Sequence, residues 1–301
     1  MGHGIGYGKI ILFGEHFVVH GAPAIAAGIS STAAVEIKES DKNRIITDHK
    51  VIEEMSLNGI CSVLEAMNVP KKYDVYLGGD LRTYGGLGSS AAFCVALVNA
   101  IAEEKGLHLT KEEVNKYAYE GEKAFHGDPS GIDNTMATYG GIVEFKRGND
   151  RSQSTFSFIE IKKPLDLIIT FSGKYSPTTK MVESVKKFKE QDETEFAQLR
   201  DEYLDIEAHG KHAIERGKIE DIGKLMNSNQ GILSELGVSD EKNDRVNTIT
   251  MDLGALGAKL TGGGGGGCCI ALARNEEHAL EMANELKKKG FDSFPTSIAK
   301  K

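Results

Sequence analysis

A chain of 301 residues, 40% hydrophobic and 27% charged, is long enough for one large domain or two ordinary ones with real cores. Its net charge of −8, with lysines falling on helix faces ("KKFKEQDE", "ELKKKG"), excludes a nucleic-acid binder. The longest weakly polar run, Ala91 to Ala102, contains Asn99 and is too short to span a bilayer, so no membrane partner is expected.

The N-terminal stretch "MGHGIGYGKIILFGEHFVV" is broken by Lys9, Gly14, Glu15 and His16 and does not read as a signal peptide. Cys61, Cys94, Cys268 and Cys269 form no CxxC pair, which fits reduced thiols in a cytoplasmic protein. Glycine is in excess: 35 residues, against about 21 at the average usage of about 7%. Eleven lie in two clusters, Gly78 to Gly88 and Gly262 to Gly267, flanked by apolar runs. Glycine lets backbone approach a ligand closely, so the clusters point to one ligand met from two directions.

In chain order, "KIILF" (9–13) and "FVVHG" (17–21) read as strands around a turn at Gly14-Glu15-His16. Lys9 opens the first. A compact cation beside a carboxylate lowers the pKa of an acceptor hydroxyl, and the turn could grip a polar substrate. His16 and His20 are four apart, but HExxH is absent and the segment is strand-like, so no zinc site is expected. "TAAVEIKES" (32–40) alternates as a strand, residues 51–67 are helical, and "YDVYLGGDL" (73–81) is a strand.

The loop "YGGLGSSAAF" (84–93) comes next and opens a helix from about Ser89 to Lys105. Glycines before a helix N-terminus let N–H groups converge on an anion, and the helix dipole adds attraction. Ser89 and Ser90 can bond phosphate or bind Mg²⁺; a glycine turn with a serine cap is the plainer reading. The loop has no Walker A lysine and no G-x-S-x-G, and HRD and DFG are absent from the chain.

Thr110 and Glu113 form a capping box for a helix to about His126, and Ser130 with Asp133 repeats the S-x-x-D start for a short one. Glu122 and Asp133 thus sit on consecutive helices joined by a Gly-Asp-Pro-Ser-Gly turn. Phosphoryl transfer uses two such carboxylates, one to hold Mg²⁺ against ATP and one to take or orient the acceptor proton. Each also has a plain alternative: Asp133 favours a helix N-terminus by charge alone, and Glu122 could be a solvated helix carboxylate.

"GGIVEFKR" (140–147) reads as a strand, and polar "RGNDRSQS" (147–154) marks the best domain boundary. "STFSFIEI" and "DLIITFSG" are strands, and helical patterns fill roughly 178–233. "AKLTGGGGGGCCIALA" sets a glycine run before a buried strand, and a helix follows from Glu276 to Lys289. Without regular βαβ alternation the mixture is α+β.

Three segments together, "YGKIILFGEHFVVHG" (7–21), "GGLGSSAAF" (85–93) and "KLTGGGGGGCCIAL" (259–272), resemble the three motifs of the GHMP kinases, in that family's order and across nearly the whole chain. This is the small-molecule kinase superfamily named for galactokinase and the homoserine, mevalonate and phosphomevalonate kinases. Lys9 with "ILFGEH", the segment "EGEKAFHGDPSGIDN" and "SGKYSPTTKMVESV" (172–185) most resemble its mevalonate kinase branch; Tyr7 stands where the family usually has Pro.

The resemblance implies a two-domain fold, with residues 1–154 ribosomal protein S5 domain 2-like, residues 155–301 ferredoxin-like, and the active site between them. It implies ATP-dependent phosphorylation of the C5 hydroxyl of mevalonate with Mg²⁺; a homodimer is common in the family. Carried over by position, Asp133 is the catalytic base and Lys9 steadies the attacking oxygen. Ser90 and Glu122 bind Mg²⁺. Gly85, Gly86, Leu87, Gly88, Ser89, Ser90 and Ala91 wrap the ATP phosphates. Glu15, His16 and Thr179 lie near mevalonate, supported by Gly262, Gly263, Gly264 and Gly265. The rivals are another kinase of the superfamily, acting on phosphomevalonate, homoserine or a sugar, and a silent binding protein. Few basic residues near the Glu15-His16 turn disfavour a phosphorylated acceptor. Retention of Lys9, Glu122 and Asp133 disfavours a silent protein.

Overall fold

The computed structural model describes residues 1–47, 54–83, 85–148, 153–175 and 177–298. The chain forms two compact units: Met1–Lys9, Ser30–Thr83 and Gly88–Gly140 in the first; Ile10–Ile29, Tyr84–Leu87 and Gly141–Lys301 in the second. The long strands β1 (Gly2–Phe13) and β2 (Pro23–Ser40) each contribute to both. The expected division at 154 falls beside residues 149–152, which lie outside the described residues.

In the first unit, Ala33–Ser40 of β2 pairs antiparallel with β4 (Lys72–Gly79), and β4 pairs parallel with the short β3 (Arg44–Ile46). Helices α1 (Glu54–Ala66), α2 (Ser89–Lys105), α3 (Lys111–His126) and α4 (Ile132–Tyr139) complete it. α2 has no polar stripe: every residue from Ala91 to Ala102 except Asn99 is buried, which marks a helix enclosed on all sides. It packs with Val35, Ile37, Tyr73 and Val75 of the strands and with Ile60, Val63, Val114 and Ala118 of α1 and α3.

Two features set its spacing. Gly2, Gly4 and Gly6 of β1 lie flush on α2, where an added Cβ would come within 2.0, 2.0 and 2.1 Å of the carbonyls of Ala100, Ala96 and Ala92. Gly121 of α3 likewise leaves room for Cys94 of α2 and Val63 of α1, each 2.7 Å from where its Cβ would stand.

In the second unit, Pro23–Ala27 of β2 pairs with β5 (Ile142–Lys146), which pairs with β6 (Thr155–Phe158). A separate antiparallel sheet contains β7 (Leu165–Phe171), β8 (Gly257–Thr261), β9 (Cys268–Leu272) and β10 (Ser293–Ile298), in the order β10-β7-β9-β8. Numbered within this sheet that is 4-1-3-2, the ferredoxin-like arrangement. Helices α5 (Thr178–Gln191), α6 (Glu193–Arg216), α7 (Ile219–Glu235) and α8 (Glu241–Asp252) lie between β7 and β8 in sequence, and α9 (Glu276–Lys288) lies between β9 and β10. The architecture is α+β, as expected.

Local differences from the sequence reading have identifiable causes. Residues 17–21 are not a strand; Phe17–His20 form a 3₁₀ turn, entered through His16 at φ 66° and closed by left-handed Gly21. Phe17 is drawn inward by stacking on Tyr203, with ring centroids 4.8 Å apart. Ser130 does not cap α4; Gly131 does, and Asp133 is the second helical residue. Ser89 does not cap α2 either, because that position belongs to left-handed Gly88. The 178–233 stretch divides into three helices at Asp192, whose side chain caps α6 by accepting from the Glu195 N–H, and at left-handed Gly217.

Candidate active site

In the first unit the glycine loop delivers Ser89 and Ser90 as the opening residues of α2, whose first turn has no side-chain cap. Gly88, at φ 68°, is needed sterically as well: a Cβ there would stand 2.9 Å from Cγ of Lys9. The Lys9 side chain therefore runs over the loop, and its Nζ reaches Oδ1 of Asp133 at 3.0 Å. Lys9 is 4% exposed in its side chain and Asp133 29%, so the pair is buried on the lysine side and open on the carboxylate side. Asp133 is held from behind. Asn134 donates to the Asn115 carbonyl of α3, and the Tyr119 hydroxyl donates to the Pro129 carbonyl at 3.2 Å, fixing the turn between α3 and α4.

Glu122, on α3, is fully buried beside this pair. Its pKa is pushed up to about 8, by burial first and by the Asp133 charge second, while Ser90 and Lys9 pull it down. Neither carboxylate oxygen has a hydrogen-bond partner among the described residues. A buried, unsatisfied carboxylate is costly unless something completes it, and a divalent cation does so. Among the described residues no group of three His, Cys, Asp or Glu could hold a metal. Mg²⁺ takes one or two protein ligands and completes its shell with water and substrate phosphates, a set that Glu122 and Ser90 fit. His126 lies one turn along α3, its Nε2 3.2 Å from Ser90 Oγ and 3.9 Å from Glu122 Oε2.

The second unit holds the other candidates. Gly14, at φ 112°, turns the chain into Glu15 and His16; a Cβ there would lie 2.5 Å from that of Ala24 and 2.7 Å from the Tyr203 hydroxyl. Glu15 is buried against Lys259 of β8, whose ammonium donates to it and to the Leu260 carbonyl. Burial pushes Lys259 down and Glu15 opposes that shift. Thr261 accepts from the Ile11 N–H at 2.9 Å, and His16 Nε2 donates to the Gly263 carbonyl at 2.9 Å. Alternate residues 259, 261 and 263 thus clasp the segment 11–16. Burial holds the His16 imidazole down to about 4, so it is neutral at pH 7, and its Nδ1 is buried with no hydrogen-bond partner among the described residues.

The two glycine clusters meet within this unit. A Cβ on Gly262 would lie 2.6 Å from Gly86 Cα, and one on Gly86 would lie 2.5 Å from the Thr261 carbonyl. Gly263 lies against Thr178, the first residue of α5, and Gly264 against the Val238 carbonyl; Thr179 is exposed. Leu87 is wholly buried, and Ala91 is buried within α2.

The structure therefore brings Lys9, Ser90, Glu122 and Asp133 together in one unit, and Glu15, His16 and Gly263 in the other. Sequence reasoning missed Lys259 and His126. Lys259 stands in an apolar strand, where a lone lysine signals a buried partner. His126 falls four residues after Glu122, on the same helix face.

The GHMP kinases N terminal domain profile matches residues 55–141, and the GHMP kinases C terminal profile matches residues 211–292. The chain is 32% identical to mevalonate kinase of Pyrococcus furiosus, over 97% of its length and 94% of that protein. The chain belongs to the GHMP kinase family. It is also 33% identical to mevalonate kinase of Methanocaldococcus jannaschii, over 95% of this chain and 96% of that one. Among solved structures it is similar to L. major mevalonate kinase in complex with R-mevalonate, with a TM-score of 0.91 and 35% identity over 100% of this chain and 96% of that one.

Proposed function

We propose that this GHMP kinase transfers the γ-phosphoryl group of ATP to the C5 hydroxyl of mevalonate, releasing ADP and 5-phosphomevalonate. The Lys9–Asp133 ion pair beside the buried Glu122 carries the reading, because it sets a charged base next to a place for phosphate and cation. Mevalonate as acceptor is supported by the likeness to mevalonate kinases over the whole chain.

Asp133 takes the proton of the C5 hydroxyl as its oxygen forms the bond to phosphorus and the bond to the ADP oxygen breaks. Lys9 steadies the developing negative charge on the attacking oxygen. Backbone N–H groups of Gly85, Gly86, Leu87, Gly88, Ser89, Ser90 and Ala91, with the α2 dipole, hold the phosphates. Ser90 and Glu122 would hold Mg²⁺, which supplies positive charge to the phosphates. Glu122, whose carboxylate form burial opposes, would be held in that form by a cation there. Glu15, His16 and Thr179, with Gly262, Gly263 and Gly264 behind them, are assigned to mevalonate. His16, neutral with Nδ1 unsatisfied, accepts from a hydroxyl. The four free cysteines support a reducing, cytoplasmic setting. No helix among the described residues is long and apolar enough to cross a membrane.

ADP release, measured with Mg-ATP and separately with mevalonate, phosphomevalonate, homoserine and galactose, tests the acceptor. Turnover is expected with mevalonate alone. Asp133→Asn should lower kcat by about 10²- to 10⁴-fold while ATP still binds. Preference for another acceptor would overturn the substrate assignment, and near-normal turnover by the variant would remove Asp133 as base.

A further inference from the structure

A serine hydroxyl that ligates a cation must turn a lone pair toward it, so its proton has to go to an acceptor on another side. Ser90 Oγ has two acceptor neighbours: Glu122, which is itself assigned to the cation, and Nε2 of His126, in hydrogen-bond geometry at 3.2 Å. The same nitrogen stands 3.9 Å from Glu122 Oε2. Glu122 and His126 are one turn apart on α3, and Gly121 brings this stretch of α3 close to α2. One imidazole therefore adjoins both proposed cation ligands, on two different helices.

We propose that His126 is a positioning residue of the metal site: its Nε2 accepts the Ser90 proton and aims the serine lone pairs, beside Glu122, at Mg²⁺. The inference rests on the assignment of Ser90 and Glu122 to the cation. His126 touches neither the phosphates nor the acceptor in this role. It acts through Ser90, as outer partners of metal ligands do, and their loss costs about 10- to 100-fold in metal affinity. His126 ends α3, and its side chain is 41% exposed, so replacing it leaves the core intact.

The test is calorimetric binding of the non-hydrolysable ATP analogue AMPPNP to the full-length protein, with and without Mg²⁺. The readout is the Mg²⁺-dependent gain in affinity. His126→Leu removes the acceptor and is expected to cut that gain by about tenfold or more, leaving metal-free binding and the melting temperature unchanged. His126→Gln places an amide oxygen where Nε2 stood and should keep most of the gain. A full gain in His126→Leu, or equal loss in both variants, overturns the proposal. Ser90→Ala and Glu122→Gln run alongside. If they lose the gain and His126→Leu does not, the role of His126 alone fails. If they too keep the gain, the assignment of the cation fails, and the proposal with it.

Discussion

At the scale of single residues, the chemistry rests on pairs whose members are far apart in sequence. Lys9 and Asp133 were both legible, because each sits in a motif with a reason to be charged. Lys259 was missed: a lone lysine in a wholly buried strand signals a buried partner, but the strand read locally does not say which carboxylate, here one 244 positions away. Its pairing with Glu15 is wholly buried, which makes a sharp prediction. Lys259→Met alone strands the Glu15 carboxylate and should cost about 3–5 kcal/mol in urea unfolding. Glu15→Leu combined with Lys259→Met removes both charges and should recover most of that loss. Recovery of stability without recovery of turnover would separate what the pair does for folding from what it does for the His16 turn. A single variant as stable as the wild type would mean that the pair contributes nothing.

Elements show where pattern reading succeeds and where it does not. The α3 capping box was read from Thr110 and Glu113 alone and is present in full. β1 was read only from Lys9 onward; before it lies glycine-rich "GHGIGYG", and glycine weakens a strand unless another backbone must approach it. Here one does. Gly2, Gly4 and Gly6 recur every two residues, and the alanines they meet on α2 recur every four, so strand and helix lie backbone to backbone. Gly4→Ala should therefore destabilise the protein by about 1–3 kcal/mol or more, visible as a lowered urea midpoint with an unchanged m-value. Gly78→Ala, where a Cβ meets nothing within 4 Å, is the control.

α6 carries a different device. Tyr203 stacks on Phe17 and its hydroxyl donates to the Pro23 carbonyl at 2.6 Å; one turn on, Glu207 is buried beside Glu144. Burial first, and the Glu144 charge second, push Glu207 up to about 7, against an opposing pull from Lys211. A carboxyl raised in the folded state keeps its proton where the unfolded chain has lost it, so stability should fall as pH rises from about 4.5 to about 7. Glu207→Gln mimics the protonated form. Thermal melts should find it equal to the wild type at pH 4.5 and more stable at pH 8. Parallel curves across that range would show that Glu207 is not the group responsible.

At the scale of the whole molecule, the division of the chain bears on how it folds. The two units are not consecutive stretches of sequence: the chain passes between them after Lys9, Ile29, Thr83, Leu87 and Gly140. The polar segment at 147–154 advertised a boundary, because composition is read along the chain, whereas compactness is decided by strands such as β2, whose halves pair with β4 and with β5. Residues 1–154, expressed alone, would contain all of the first unit but only Ile10–Ile29, Tyr84–Leu87 and the start of the third segment of the second. Those pieces would be cut from β7 to β10 and from Tyr203, the partner of Phe17 and Pro23. Buried residues such as Phe13 and Phe17 would then meet water. The fragment should show exposed apolar surface by dye binding and no cooperative thermal transition, while the full chain melts cooperatively and at higher temperature with Mg-ATP present. A fragment that unfolds cooperatively, with the first unit's amides protected from exchange, would establish that this unit is stabilised by its own core around α2 alone.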